Sequence, residues 1–264
     1  MDPQTRAAVA NRLLEAHRTG NSIAPLSDSY KGMTVEDAYA IQLLQVEAMQ
    51  ADGRSVRGHK VGLTNGHVQT QLGVDEPDYG HLMDDFFHLE YAPMPTSSFI
   101  QPRIEPEVAF VLRAPLSGPG VTIVQAIAAV DYLLPALEIV DSRIDDWRIK
   151  ITDTIADNAS SGALVLGSTP TPLANVDLRL AGCALYRNGQ VAATGSGGAV
   201  IGSPINALVW LANKVGPLGI TLEPGHVILS GAMTPMVTVS AGDTFTASFT
   251  GLGSATARFT TEAA

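Results

Sequence analysis

Apolar side chains recur at every second position through Ile104, Val108, Phe110 and Leu112, with Pro106 among them, and Glu105 and Glu107 fill the alternate register. A period of two marks a strand, in which residues i and i+2 share a face. Both carboxylates are therefore expected to point the same way, roughly 6–7 Å apart along the backbone and within reach of one cation. A second apolar run, Leu134 to Asp141, has Glu138 inside it. A solvated sheet face is the competing reading of the paired acids. The third acid tips the balance, because buried acids are rare unless paired or metal-bound.

Upstream the period changes to that of helices. Val9, Leu13 and Ala16 predict a helix over Thr5–Thr19 stopped by Gly20. Thr34 is placed to cap a second, with Asp37 as capping-box partner, running through Ala38, Ile41, Leu44 and Ala48 and ending near Gly53. Simple packing accounts for both. The chain thus divides into a helical N-terminal lobe, residues 1–54, and a β-rich core, residues 55–264. The core opens with a strand from Ser55 to Thr64 that holds Lys60 between glycines at 58 and 62. A lysine there either snorkels or is functional, and the glycines leave room for a ligand or backbone to approach. Gln71 to Gly80 is acidic and turn-rich, the usual character of a solvated loop.

Later segments read as a short helix over Val121–Ala129, a charged turn from Asp141 to Arg148, and a small-residue stretch from Thr152 to Gly162 that suits a short capped helix. A hairpin follows over Tyr186–Val191 around Asn188-Gly189. A helix capped by Ser203, with Pro204 first, is expected to stop at Gly216. Short strands near Val227–Ser230, Met236–Val239, Phe245–Phe249 and Ala255–Phe259 complete a β-rich core. The fold class is therefore α+β.

The 264 residues are 45% hydrophobic, enough for a substantial core, and carry a formal net charge of −10, which disfavours nonspecific nucleic-acid binding. The single cysteine, Cys183, rules out an internal disulfide and a Cys-rich zinc site, and suits a reducing cytoplasm. The opening residues lack the pattern of a signal peptide. The longest uncharged window, Gly195 to Asn213, is broken by glycine, serine and proline and is no membrane span. Serine-hydrolase elbows, phosphate loops, dinucleotide fingerprints and His-Glu-x-x-His pairs are all missing from the sequence. Three carboxylates with open positions suit Mg²⁺ or Mn²⁺, hard ions that prefer oxygen and keep water.

Taken jointly, Gly58-His59-Lys60-Val61-Gly62-Leu63-Thr64, Glu76-Pro77-Asp78-Tyr79-Gly80, Ile104-Glu105-Pro106-Glu107-Val108, Pro135-Ala136-Leu137-Glu138 and Asp157-Asn158-Ala159-Ser160 resemble the 2-oxopent-4-enoate (2-hydroxypenta-2,4-dienoate) hydratases. That group belongs to the fumarylacetoacetate hydrolase superfamily, and the likeness runs from about Ala24 to Phe259. The resemblance implies a mixed β-roll core with a helical N-terminal lobe, a divalent metal on Glu105, Glu107 and Glu138, catalytic roles for Lys60, Asp78 and Ser160, and a homo-oligomer. It also implies a small 2-oxoacid substrate from aromatic or steroid ring breakdown, a cytoplasmic setting, and association with a pathway decarboxylase or aldolase. Pro106 stands where alanine or valine is common, and removes no ligand.

Three other readings share these residues. A 4-oxalocrotonate-type decarboxylase would use the same scaffold, but that branch resembles this loop with an apolar residue in place of Asp78. A carbon–carbon hydrolase would need a histidine near the metal to activate water. A noncatalytic partner subunit would not need Lys60, Asp78 and the glutamates together. Met83, Phe86, Phe87 and Met233 are candidates for the wall of a substituent pocket, with plain core as the alternative.

Overall fold

The computed structural model describes residues 1–66, 69 and 76–261. Of the acidic, turn-rich stretch expected over Gln71–Gly80, residues 71–75 lie outside them. Helix α1 (Pro3–Thr19) is capped by Asp2 and ends at Gly20 in the left-handed region. After a short α2 (Leu26–Ser29), α3 (Val35–Ala51) begins on Thr34 with the full capping box to Asp37.

The core is two mixed sheets. The first contains β1 (Val56–Gly62), β2 (Asp78–Met83), β3 (Phe87–His88), β5 (Pro102–Leu112), β6 (Val130–Asp141), β7 (Ser161–Leu166) and β10 (Val227–Leu229), in the order β2-β1-β10-β5-β6-β7-β3, with β11 (Val237–Thr238) added to β5. The second orders β4 (Pro93–Pro95), β8 (Gly182–Arg187), β9 (Gln190–Ser196), β12 (Thr244–Phe249) and β13 (Gly253–Thr260) as β4-β13-β12-β8-β9. Both combine parallel with antiparallel neighbours. The Asn188-Gly189 turn joins β8 to β9 with both residues at positive φ, as a type I′ hairpin requires.

Long β5 and β6 form the spine. Their antiparallel register sets Glu105 directly opposite Glu138 and Arg103 opposite Val140. One face of the first sheet carries the large core that includes Tyr79, Val108, Phe110 and Ile228. A smaller cluster with Leu82, Met83, Phe86, Ala109 and Leu164 lies apart from it. Phe87 packs against that cluster, so Met83, Phe86 and Phe87 are core, and of the four candidate pocket residues only Met233 lines the cavity described below.

Two local expectations shift. Ser203 occupies the cap position of the helix Pro204–Val215 but makes no side-chain cap bond. Gly216 stays right-handed and the chain continues through a 3₁₀ turn to Gly219, which takes the left-handed conformation. Glycine stops a helix through positive φ, and the second glycine supplies it.

Candidate metal and acid–base site

Carboxylate oxygens of Glu105, Glu107 and Glu138 lie within 4.8 Å of one another, the only such group found among the described residues. Strand alternation puts Glu105 and Glu107 on one face of β5, and the β5–β6 register brings Glu138 across to them. Lys60 arrives from β1, its Nζ 3.2 Å from Glu138 Oε1.

Asp78 does not lie in a solvated loop. It begins β2, fully buried, opposite Gly62 of β1. A Cβ at position 62 would fall 2.2 Å from Asp78 Oδ1, so only glycine leaves room for this carboxylate. Thr154 Oγ1 donates to Asp78 Oδ2 at 3.3 Å, while Oδ1 has no hydrogen-bond partner. At position 231, with φ +107°, the glycine N–H donates to Glu107 Oε2 at 2.7 Å.

Ser160 ends a run of three non-glycine residues at positive φ, Asn158, Ala159 and Ser160. Such strain persists only when the surroundings over-determine it. Here the Asn158 side chain pairs with both backbone groups of His81, and Arg143 binds the Asp157 carboxylate and three nearby carbonyls. Ser160 Oγ donates to Asp157 Oδ2 at 3.3 Å, leaving its lone pairs for the cavity.

Electrostatics here are one-sided. Four carboxylates, Glu138, Asp78, Glu105 and Glu107, act on the single ammonium of Lys60. Burial pulls the Lys60 pKa down, but the carboxylates outweigh it and hold the amine above its ordinary value. Burial and then Glu138 push Glu105 up to about 7 and Glu107 well above the carboxylate range. Burial raises Asp78 too, against the pull of Lys60. Both Glu138 oxygens lack a hydrogen-bond partner although Lys60 is close, so the ion pair is a charge contact. Buried anions with free lone pairs and too little positive charge are what a hard dication fits.

Lys60, Asp78, Glu105, Glu107, Thr154 and Ser160 line a cavity of about 320 Å³ together with an apolar wall, while Glu138 lies behind that lining, in contact with Lys60. No histidine lines it among the described residues. His59 alternates with Lys60 and so points to the other face, where its ring lies 4.8 Å from His81 and 5.7 Å from His226.

Sequence reasoning missed the supports. Gln42 of α3 donates to Tyr79 O (2.8 Å) and Ile155 O (3.0 Å), and Gln45 donates to Ala156 O (2.6 Å). These bonds tie α3 to β2, which carries Asp78, and to the helix Ile151–Ala156, which carries Thr154. Gln42 and Gln45 sit on the buried side of α3, so polar residues on an otherwise apolar helix face were the available signal.

The sheet order and the three-carboxylate cage define a class of protein that comparison makes explicit. Residues 86–260 match the model of the fumarylacetoacetate (FAA) hydrolase C-terminal family, and the chain belongs to that family. Within it, the chain groups with the 2-keto-4-pentenoate hydratases. It is 48% identical over 259 residues to a 2-keto-4-pentenoate hydratase of Paraburkholderia xenovorans (strain LB400), covering 98% of this chain and 96% of that one. It is 44% identical over 261 residues to a 2-hydroxyhexa-2,4-dienoate hydratase of Comamonas testosteroni, covering 98% and 99%. Among solved structures, a 4-oxalocrotonate decarboxylase from Pseudomonas putida G7, complexed with magnesium and adipate, superposes with a TM-score of 0.95 at 35% identity over 98% of each chain.

Proposed function

We propose that this chain is a hydro-lyase that adds water to a short 2-hydroxy-2,4-dienoate, by way of its 2-oxo form, to give a 4-hydroxy-2-oxoacid during aromatic or steroid ring breakdown. The observation that carries it is Asp78: a buried carboxylate with one free oxygen, lining the same cavity as Lys60, Glu105 and Glu107. Hydration needs a group to handle water, whereas decarboxylation on the same scaffold does not. The similarity to hydratases at 48% and 44% identity supports the same reading.

Glu105, Glu107 and Glu138 would hold Mg²⁺ or Mn²⁺. When bound, that ion supplies Lewis acidity and a fixed anchor for an α-oxoacid. The ammonium of Lys60 stabilises negative charge developing on the C2 oxygen and exchanges a proton with it. Protonation of the dienol at C5 leaves a 3,4-double bond conjugated with the C2 carbonyl, which makes C4 electrophilic. Asp78 Oδ1 takes a proton from water as its oxygen bonds to C4, and C3 is then protonated as the carbonyl re-forms. A carboxylate raised above its ordinary pKa is a better base for that step. Thr154 fixes Asp78 from behind, and Ser160 accepts a hydrogen bond from water or substrate.

Self-assembly and a cytoplasmic setting belong to the same reading. Exposed Ile123, Val124 and Ile127 on one short helix offer an apolar face for a second copy, which sedimentation of the purified protein would test. No helix among the described residues is long and apolar enough to cross a membrane. For the reaction, a metal-dependent ultraviolet assay with a dienol acid decides: loss of the conjugated absorbance without carbon dioxide is expected. Stoichiometric carbon dioxide would assign the decarboxylase reading instead.

A further inference from the structure

The apolar wall of the cavity has a definite position relative to the cage. Along the β5–β6 ladder, Glu105 faces Glu138, and the next row on that face pairs Arg103 with Val140. The segment from residue 231 to 237 runs antiparallel to β5, from the cage toward the Arg103 row. Its first N–H donates to Glu107, Met233 N donates to Pro106 O at 3.0 Å, and Val237 pairs with Ile104. Val140, Trp147, Ile149, Met233 and Met236 therefore extend the cavity from the cage toward the Arg103 row.

Trp147 is held there firmly. Its Nε1 donates to Gln101 O at 3.0 Å, so the polar edge of the indole is spent on backbone. The Arg103 guanidinium lies 4.4 Å from the ring centroid, and its Nη1 reaches Met236 Sδ at 3.4 Å. Asp146 and Trp147 both sit at positive φ, 54° and 55°, a conformation that bulky residues rarely take. The ring is thus a fixed apolar surface. Lys60 is the single cationic side chain among the described lining residues, and it is engaged by carboxylates.

We infer that this wall receives the substrate beyond C4 and selects an uncharged, short alkyl tail over one ending in a carboxylate, with Trp147 as the specificity-determining residue. The inference rests on the reading that the cage anchors the α-oxoacid end. A tail carboxylate would be desolvated against indole, thioether and aliphatic carbon, in a cavity that already holds an excess of anions. A methyl group meets only favourable contacts there. Among relatives the tail differs: one acts on 2-keto-4-pentenoate and another, from Escherichia coli, on 2-oxo-hept-4-ene-1,7-dioate, so family membership alone leaves the choice open.

The test is calorimetric titration of the magnesium-loaded protein with three unreactive acids: pyruvate, 2-oxohexanoate and 2-oxohexanedioate. 2-Oxohexanoate is expected to bind about tenfold or more tightly than the dioate. Trp147→Ala should erase most of that preference while leaving pyruvate, which has no tail, unchanged. Pyruvate thereby reports whether the variant is folded and the cage intact. Equal affinities in the wild type would overturn the inference. So would tighter dioate binding that Arg103→Gln abolishes, since Arg103 would then be swinging in to pair with the tail. Should the alkyl preference hold while no dienol acid is hydrated, the tail assignment stands and the proposed reaction falls.

Discussion

Buried carboxylates occur in two very different settings in this molecule. At the N-terminal helices, Asp37 accepts hydrogen bonds from the Met1 ammonium (2.8 Å), Arg6 Nε (2.9 Å) and Nη2 (2.7 Å), and the Thr34 N–H (3.1 Å). Those donors hold its pKa well below the ordinary carboxylate range. At the cage, by contrast, Glu138 has no hydrogen-bond donor on either oxygen and Glu107 takes one N–H from the residue-231 glycine. There the pKa values of Glu105 and Glu107 move up. The first acid is complete within the chain and serves structure. The second group lacks donors within the chain, which is what the proposed metal would supply.

That contrast can be broken by substitution. Glu105→Gln removes one charge from the proposed metal cage and should weaken magnesium or manganese binding by more than the ~10–100-fold typical of losing a mere support to a ligand, with turnover falling alongside. Normal metal affinity and turnover in the variant would remove Glu105 from the cage. Asp78→Asn sharpens the division of labour: turnover is expected to drop by roughly 10²–10⁴ while metal affinity measured by titration stays near wild type. Equal losses in both would make Asp78 a metal-supporting group and not a water-handling one.

At Asp37 the expectation reverses. Asp37→Asn should cost about 1–3 kcal/mol of stability in chemical denaturation, with turnover per folded molecule unchanged. Arg6 is partly exposed, so the lower part of that range applies to its share. A loss of turnover without a loss of stability would dissolve the distinction between the two settings.

The smallest effect is the pH dependence, and its sign differs between the two. The raised pKa of Glu105, about 7, means that the metal-free folded state holds its proton more tightly than the unfolded chain. The stability that this provides is present below the unfolded value near 4.5 and is lost as pH rises through 7. Magnesium should therefore raise the melting temperature more at pH 8 than at pH 5.5. Asp37, with its lowered pKa, contributes stability above the unfolded value near 3.8 and loses it only as the solution turns strongly acidic. A magnesium effect that shrinks with rising pH would contradict the cage as described.

The cage was the more legible of the two in the sequence. Period-two acids on β5, and an acid inside the apolar run of β6, are local patterns, and the capping box at Thr34 and the Asn188-Gly189 hairpin are local too. Lys60 between glycines carried a clear local mark as well. What stayed hidden depends on register and long-range contact. No spacing rule connects Gln42 to Tyr79 and Ile155, or Arg143 to Asp157 and Ser161. The acidic loop chemistry around Asp78 suggested solvent, yet antiparallel pairing with β1 carries the residue inside. Met83, Phe86 and Phe87 were indistinguishable from pocket wall by composition, because hydrophobicity does not say which apolar face stays open.

One titration bears on all of this directly. Manganese added to chelator-stripped protein, followed by electron paramagnetic resonance, should show one tightly bound ion per chain that disappears in Glu138→Gln, with activity returning in step with occupancy. Full activity in the stripped protein, or manganese binding that ignores the loss of the Glu138 charge, would contradict the three-glutamate cage.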